Sequence, residues 1–207
     1  MGTALSVGDL LVVADRQCTW GNCLDVDFIA TTFAKWSGKQ YEKIVCIGNS
    51  MGGFNALVLG PLLGAQAVLA IIPQYSVHPD IYPTMKNQEV QDLRDRIPVP
   101  PAEWKYKTAE DNLKDRQVAT YIIHGGDEAE RENAEKFTDG DAQIHVEIPG
   151  LRHAEVAMLL KEKGMLLPLL TACEEHAGSS VIESIFHSKK VAYQRRSPAP
   201  RLSWRPF

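Results

Sequence analysis

The sequence predicts an α/β fold, a three-layer sandwich in which helices cover both faces of a mostly parallel central sheet. Three observations predict it. Short apolar runs of strand length recur at residues 43–47, 67–72, 119–124 and 143–148. The segments between them carry apolar residues at helical spacing. Each run closes on glycine or proline, as strands do when the chain turns back over a sheet. Strands that alternate with helices form parallel pairs, and right-handed crossovers put every strand's carboxyl end on one edge.

Taken in order, Asp9-Leu10-Leu11-Val12-Val13-Ala14-Asp15 reads as a short, fully buried strand. Residues 16–22 follow as a loop at its carboxyl end, the edge where open α/β sheets bind ligands. Phe28, Ile29, Phe33 and Trp36 mark a helix over 25–36, ended by Ser37-Gly38-Lys39. The strand at 43–47 stops at Gly48, and a helix runs on to about Leu63, with Gly64 as its C-cap. The strand at 67–72 is closed by Pro73.

Residues 74–116 differ in kind. They are polar, with prolines at 79, 83, 98, 100 and 101, and read as an excursion over the sheet edge with a helix near 88–96. The strand at 119–124 breaks at Gly125-Gly126-Asp127, and a helix over 128–137 follows. The last strand, 143–148, ends in Pro149-Gly150, and a helix starts near Glu155. Residues 1–176 therefore form one domain, and 177–207 a basic tail. From Ala177 onward Lys189, Lys190, Arg195, Arg196, Arg201 and Arg205 face only Glu183, and Ser197-Pro198-Ala199-Pro200 argues against regular structure there.

With 207 residues, 44% hydrophobic and 23% charged, the chain has the composition of a soluble globular protein. No apolar run reaches the roughly 18–20 residues of a membrane span, and no basic-then-apolar signal segment opens it. The expected location is cytoplasmic, with no membrane partner. Met1-Gly2-Thr3-Ala4-Leu5-Ser6 fits the myristoylation pattern, a short pattern that chance often supplies. Cys18, Cys23, Cys46 and Cys173 form no close metal quartet. Cys46 reads as a small buried hydrophobe, Cys18 and Cys23 as free loop thiols. No metal site and no phosphate-binding glycine loop is present, so no cofactor is expected. At a net charge of -4 the chain does not point to nucleic acid; the basic tail reads as a solvated arm or a subunit contact.

Chemistry converges on the strand carboxyl ends. Gly48-Asn49-Ser50-Met51-Gly52 lies between a strand and a helix, the arrangement of a nucleophile elbow. The tight turn lifts the serine hydroxyl clear of the sheet and points the first helical amides at what it attacks. A serine hydroxyl needs an imidazole to take its proton, and the imidazole needs a carboxylate to hold its tautomer. His153, just past Pro149-Gly150, is the expected base. Asp127 is the expected acid, with Glu128 and Glu130 within one helical turn as alternatives. Of the remaining histidines, His124 reads as structural, and His145 as alternating outward along its strand. His78 lies in the excursion with nothing to specify it.

Gly48-Asn49-Ser50-Met51-Gly52-Gly53, His124-Gly125-Gly126-Asp127 and Pro149-Gly150-Leu151-Arg152-His153 together resemble the α/β-hydrolase superfamily, over about residues 9–172. The resemblance implies a cofactor-free serine hydrolase with Ser50 as nucleophile, His153 as base and Asp127 as acid. The family's early strands are not found. The strand that ends in a His-Gly loop and gives the second oxyanion donor is among them. The backbone N–H of Met51 is then the first donor, and Arg16 or Gln17 the expected second. The function expected is an esterase or amidase acting on a small acyl or sugar-ester substrate, with Trp20, Gln74, Tyr75, Trp104 and Tyr106 as pocket candidates. The alternatives are an acyltransferase using the same triad, or an impaired hydrolase-like domain that binds a partner. A bare sheet edge would also favour a homodimer.

Overall fold

Four parallel strands and one short antiparallel strand form a single sheet in the computed structural model, which describes residues 8–113, 118–138 and 142–196. The strands are β1 (Val45–Asn49), β2 (Ala67–Ile71), β3 (Ala119–Gly125), β4 (Gln143–Ile148) and β5 (Gln194–Arg195), hydrogen-bonded in that order. Only the β4–β5 pair is antiparallel. Seven α-helices are described: α1 (Val26–Ser37), α2 (Met51–Leu59), α3 (Gln88–Arg94), α4 (Glu128–Ala134), α5 (His153–Glu162), α6 (Leu166–Glu174) and α7 (Ser179–Ser188).

The period-two alternation of the strands sorts the core into two clusters, one on each face of the sheet. Leu69, Ile71, Tyr121, Ile123, Val146 and Ile148 point to one face, where α5, α6 and α7 cover them with Val156, Leu160, Leu169, Ile182 and Phe186. Val68, Ala70 and Ile122 point to the other, against Phe54, Leu57 and Val58 of α2 and against Trp104 and Tyr106 of the 74–113 excursion. Both faces are covered, which is why β2 is buried at every position and shows no polar alternation. This is the expected three-layer α/β fold.

Three features depart from the sequence reading. Residues 9–15 form no strand: β1 pairs with β2 alone, and Leu11, Val12 and Val13 are exposed. An apolar run becomes a strand only where another strand supplies its ladder, and no described strand lies beside this one. Second, His145 is buried rather than outward-facing, because the face it points to is covered by Phe137. Third, the expected tail is structured in its first part. Ile182 and Phe186 of α7 are in the core, and β5 extends the sheet. Met1-Gly2-Thr3-Ala4-Leu5-Ser6, the end of the excursion at 114–116, Ser197-Pro198-Ala199-Pro200, Arg201 and Arg205 lie outside the described residues. No described helix is long and apolar enough to cross a membrane.

Candidate active site

The elbow begins with a close approach. A Cβ on Gly48 would fall inside the Gly52 carbonyl group, so only glycine lets β1 turn this sharply into α2. Ser50 sits at the bend with φ 54° and ψ −122°, strained for a residue with a side chain. Its N–H donates to Ile71 O of β2 (2.9 Å) and its C=O accepts from Phe54 N of α2 (3.1 Å), which fixes the bend from β1 into α2. Met51 is the first residue of α2, where a backbone N–H has no intrahelical acceptor and is free for an anion.

The second half of the site comes from the ends of β3 and β4. A Cβ on Gly125 would collide with Leu151 O, so glycine there lets the 149–153 loop seat against β3. Gly126 N and Asp127 N both donate to Leu151 O, at 3.1 and 3.3 Å. This contact places His153, the first residue of α5, across from Ser50.

His153 Nε2 lies 2.8 Å from Ser50 Oγ, and its Nδ1 lies 2.5 Å from Glu130 Oε1. With Glu130 ionised, Nδ1 carries the proton and donates to it, leaving Nε2 to accept from the serine hydroxyl. The carboxylate in contact is therefore Glu130 and not the expected Asp127. Asp127 is the N-cap of α4, and its Oδ1 accepts from Glu130 N at 2.8 Å. Its carboxylate is occupied with the helix end, while Glu130, one turn on and 6% exposed, has the longer stem that reaches His153. The sequence does carry this signal. Asp-Glu-Ala-Glu before a helical run is the Asp-x-x-Glu pattern of a helix start, which marks Asp127 as a cap.

Ser50 Oγ has a second neighbour. Gln74 Nε2 lies 3.1 Å from it, and Gln74 Oε1 accepts from Trp20 Nε1 at 3.3 Å. Ser50, His153, Glu130, Gln74 and Trp20 all line one cavity of about 600 Å³. Its outer wall is built from the excursion, with Tyr82, Met85, Val90 and Leu93. Burial and the nearby Glu132 push the Tyr82 phenol up to about 12, so it stays protonated.

The other expected lining residues are elsewhere. Arg16 and Gln17 are exposed and do not line the cavity; Cys18 of the same loop does. The turn at 15–21 explains this: Asp15 Oδ2 accepts from Thr19 N, Thr19 Oγ1 and Gly21 N, which curls the loop so that Cys18 and Trp20 face inward. Trp104 is in the core, donating Nε1–H to Val99 O and packing edge-on against His78. Tyr106 is buried with it, and Tyr75 packs edge-on against Phe137. His78, also buried, has Nε2 within 3.1 Å of Pro101 O and takes no part in the site. Among the described residues no group of three His, Cys, Asp or Glu side chains is arranged to hold a metal.

The sequence matches no protein-family model. No curated protein matches it either. Among solved structures it is similar to an alpha/beta hydrolase enzyme from the metagenome of sediments of the lagoon of Mar Chica, Morocco. That likeness has 18% identity over 80% of this chain and 71% of the other, with a TM-score of 0.40. It is also similar to a thermophilic esterase, at 20% identity over 89% of this chain and 77% of the other, with a TM-score of 0.35.

Proposed function

We propose that this chain is a serine esterase that cleaves small, uncharged esters through an acyl-enzyme on Ser50. The observation that carries the reading is the unbroken relay Ser50 Oγ–His153 Nε2–His153 Nδ1–Glu130 at the wall of an open cavity, with both links at hydrogen-bond distance. In this reading Ser50 Oγ bonds to the acyl carbon while its proton passes to His153 Nε2. Glu130 holds the tautomer and stabilises the imidazolium. The carbonyl π pair moves onto oxygen, where the Met51 N–H at the start of α2 receives it. Collapse of the intermediate breaks the bond to the leaving alcohol, which takes the proton from His153. Water, deprotonated by His153 in turn, releases the acid and restores Ser50.

The cavity lining supports the substrate class. Lys86 of the wall is engaged by Glu128 at 3.3 Å and by Glu132 at 2.7 Å. Arg152 is paired with Glu155. Among the described residues no cation of the lining is left over for an anionic substrate, whereas Met85, Val90 and Leu93 suit a short acyl chain.

Hydrolysis of p-nitrophenyl acetate and butyrate tests the reading. Ser50→Ala and His153→Ala are expected to lower kcat by at least about 1000-fold. Wild-type turnover retained by Ser50→Ala would refute it.

A further inference from the structure

The hydrogen bond from Gln74 to the nucleophile is not needed to make a Ser–His–carboxylate relay. Gln74 is nevertheless buried beside Ser50 and fixed in orientation. Indole Nε1–H is only a donor, so the Gln74 atom facing Trp20 must be the carbonyl oxygen and the atom facing Ser50 the NH2. Trp20 is itself 1% exposed and has no room to turn away. The backbone is strained on both sides of this contact: Trp20 has φ 49° and Ile72 φ 44°, the latter a β-branched residue for which such an angle is an outlier. Ile72 is held there by its N–H donating to Ile123 O, and Pro73 then carries Gln74 over the serine. Strain of this kind persists only where the surrounding structure enforces it, and here it aims one amide at one hydroxyl.

Resting on the serine-esterase reading, we propose that Gln74 supplies the second oxyanion donor. As Ser50 Oγ bonds to the acyl carbon, its proton goes to His153 and negative charge collects on the former carbonyl oxygen, two bonds from Oγ. The Gln74 NH2, already within 3.1 Å of Oγ, turns its N–H onto that oxygen beside the N–H of Met51. When the intermediate collapses, the charge leaves the oxygen and the amide returns to Oγ. Trp20 is a positioning residue that keeps the carbonyl end of Gln74 away from the developing charge. The pair fills the role for which Arg16 and Gln17 were expected from sequence and for which they are not placed.

The test is the rate at which a fluorophosphonate phosphonylates Ser50, followed by intact mass, alongside kcat on p-nitrophenyl butyrate. Gln74→Leu is expected to slow both by about 100-fold, the cost of one lost oxyanion donor, with KM changed by less than about threefold. Gln74→Glu keeps the shape but points an oxygen at the oxyanion, so it is expected to be as slow as Gln74→Leu or slower. A merely structural Gln74 would give the reverse order, with the isosteric Glu the milder change. Trp20→Phe is expected to fall between wild type and Gln74→Leu, and it serves if thermal melts show that the Gln74 variants do not fold. Labelling and kcat of Gln74→Leu within about threefold of wild type would overturn this inference alone. An unlabelled, folded wild type would overturn the serine-esterase reading and this inference with it.

Discussion

At the scale of single residues, the division of labour between Asp127 and Glu130 makes a sharp prediction. Glu130→Gln removes the charge that holds the His153 tautomer and is expected to lower kcat by about 1000- to 10,000-fold. Asp127→Asn keeps an oxygen on Glu130 N and is expected to leave activity near wild type. Asp127→Ala loses the α4 cap, at about 1 kcal/mol of stability, with a smaller loss of activity through a less fixed Glu130. Paired assays of kcat and melting temperature separate the two roles. The meeting of Ser50 with His153 was legible in the sequence because each stands at a turn with its own chemical signature, Gly48 before one and Pro149-Gly150 before the other. The acid was not. Three carboxylates lie within one turn, and which of them reaches His153 depends on how β3 and the 149–153 loop meet, a contact set by Leu151 O.

At the scale of secondary-structure elements, β3 and β4 place two histidines against each other in the core. His124 and His145 have ring centroids 4.4 Å apart, and among the described residues neither His124 nitrogen has a hydrogen-bond partner. Burial and the charges of Arg196 and Arg131 bring His124 down to about 3. Burial, His124 and Arg196 bring His145 down to about 2. Glu147 approaches His124 at 3.8 Å but is itself engaged by Arg131. Both histidines are thus neutral when folded and take up protons near pH 6.5 when unfolded. Their contribution is complete above about pH 6.5 and is lost as pH falls toward 3, by up to about 1.4 kcal/mol per pH unit for each. His145→Phe removes one of these uptakes and is expected to move the acid-unfolding midpoint, followed by circular dichroism, to lower pH. An unchanged or higher midpoint would contradict it.

The strands β1 to β4 were readable because β-branched runs ended by glycine or proline carry their own signal. Residues 9–15 carry the apolar run but no closing glycine or proline, and they form no strand, since pairing is decided by neighbours remote in sequence. α7 was also within reach, for Ile182, Ile185 and Phe186 recur at helical spacing. The basic residues after them drew attention to charge instead.

At the scale of the whole molecule, the two edges of the sheet differ. β5 covers β4 on one side, while among the described residues no strand lies beside the outer edge of β1. Ile47 on that edge, Leu11, Val12 and Val13 of the unpaired segment, and Phe28 and Trp36 of α1 are all exposed. A bare strand edge with apolar residues around it favours association. Light scattering is expected to show a mass that rises with concentration, and Ile47→Lys is expected to lower that association without changing kcat. A concentration-independent mass of one chain would count against it. The Ser50–His153–Glu130 cluster lies at the carboxyl ends of the strands, so its chemistry is readable apart from this edge. The measurement that bears on it most directly is intact mass after fluorophosphonate treatment of the wild type and of Ser50→Ala. One adduct on the wild type and none on Ser50→Ala is the expected result. A folded wild type that takes up no adduct, or a Ser50→Ala variant that takes up as much, would show that Ser50 is not the nucleophile.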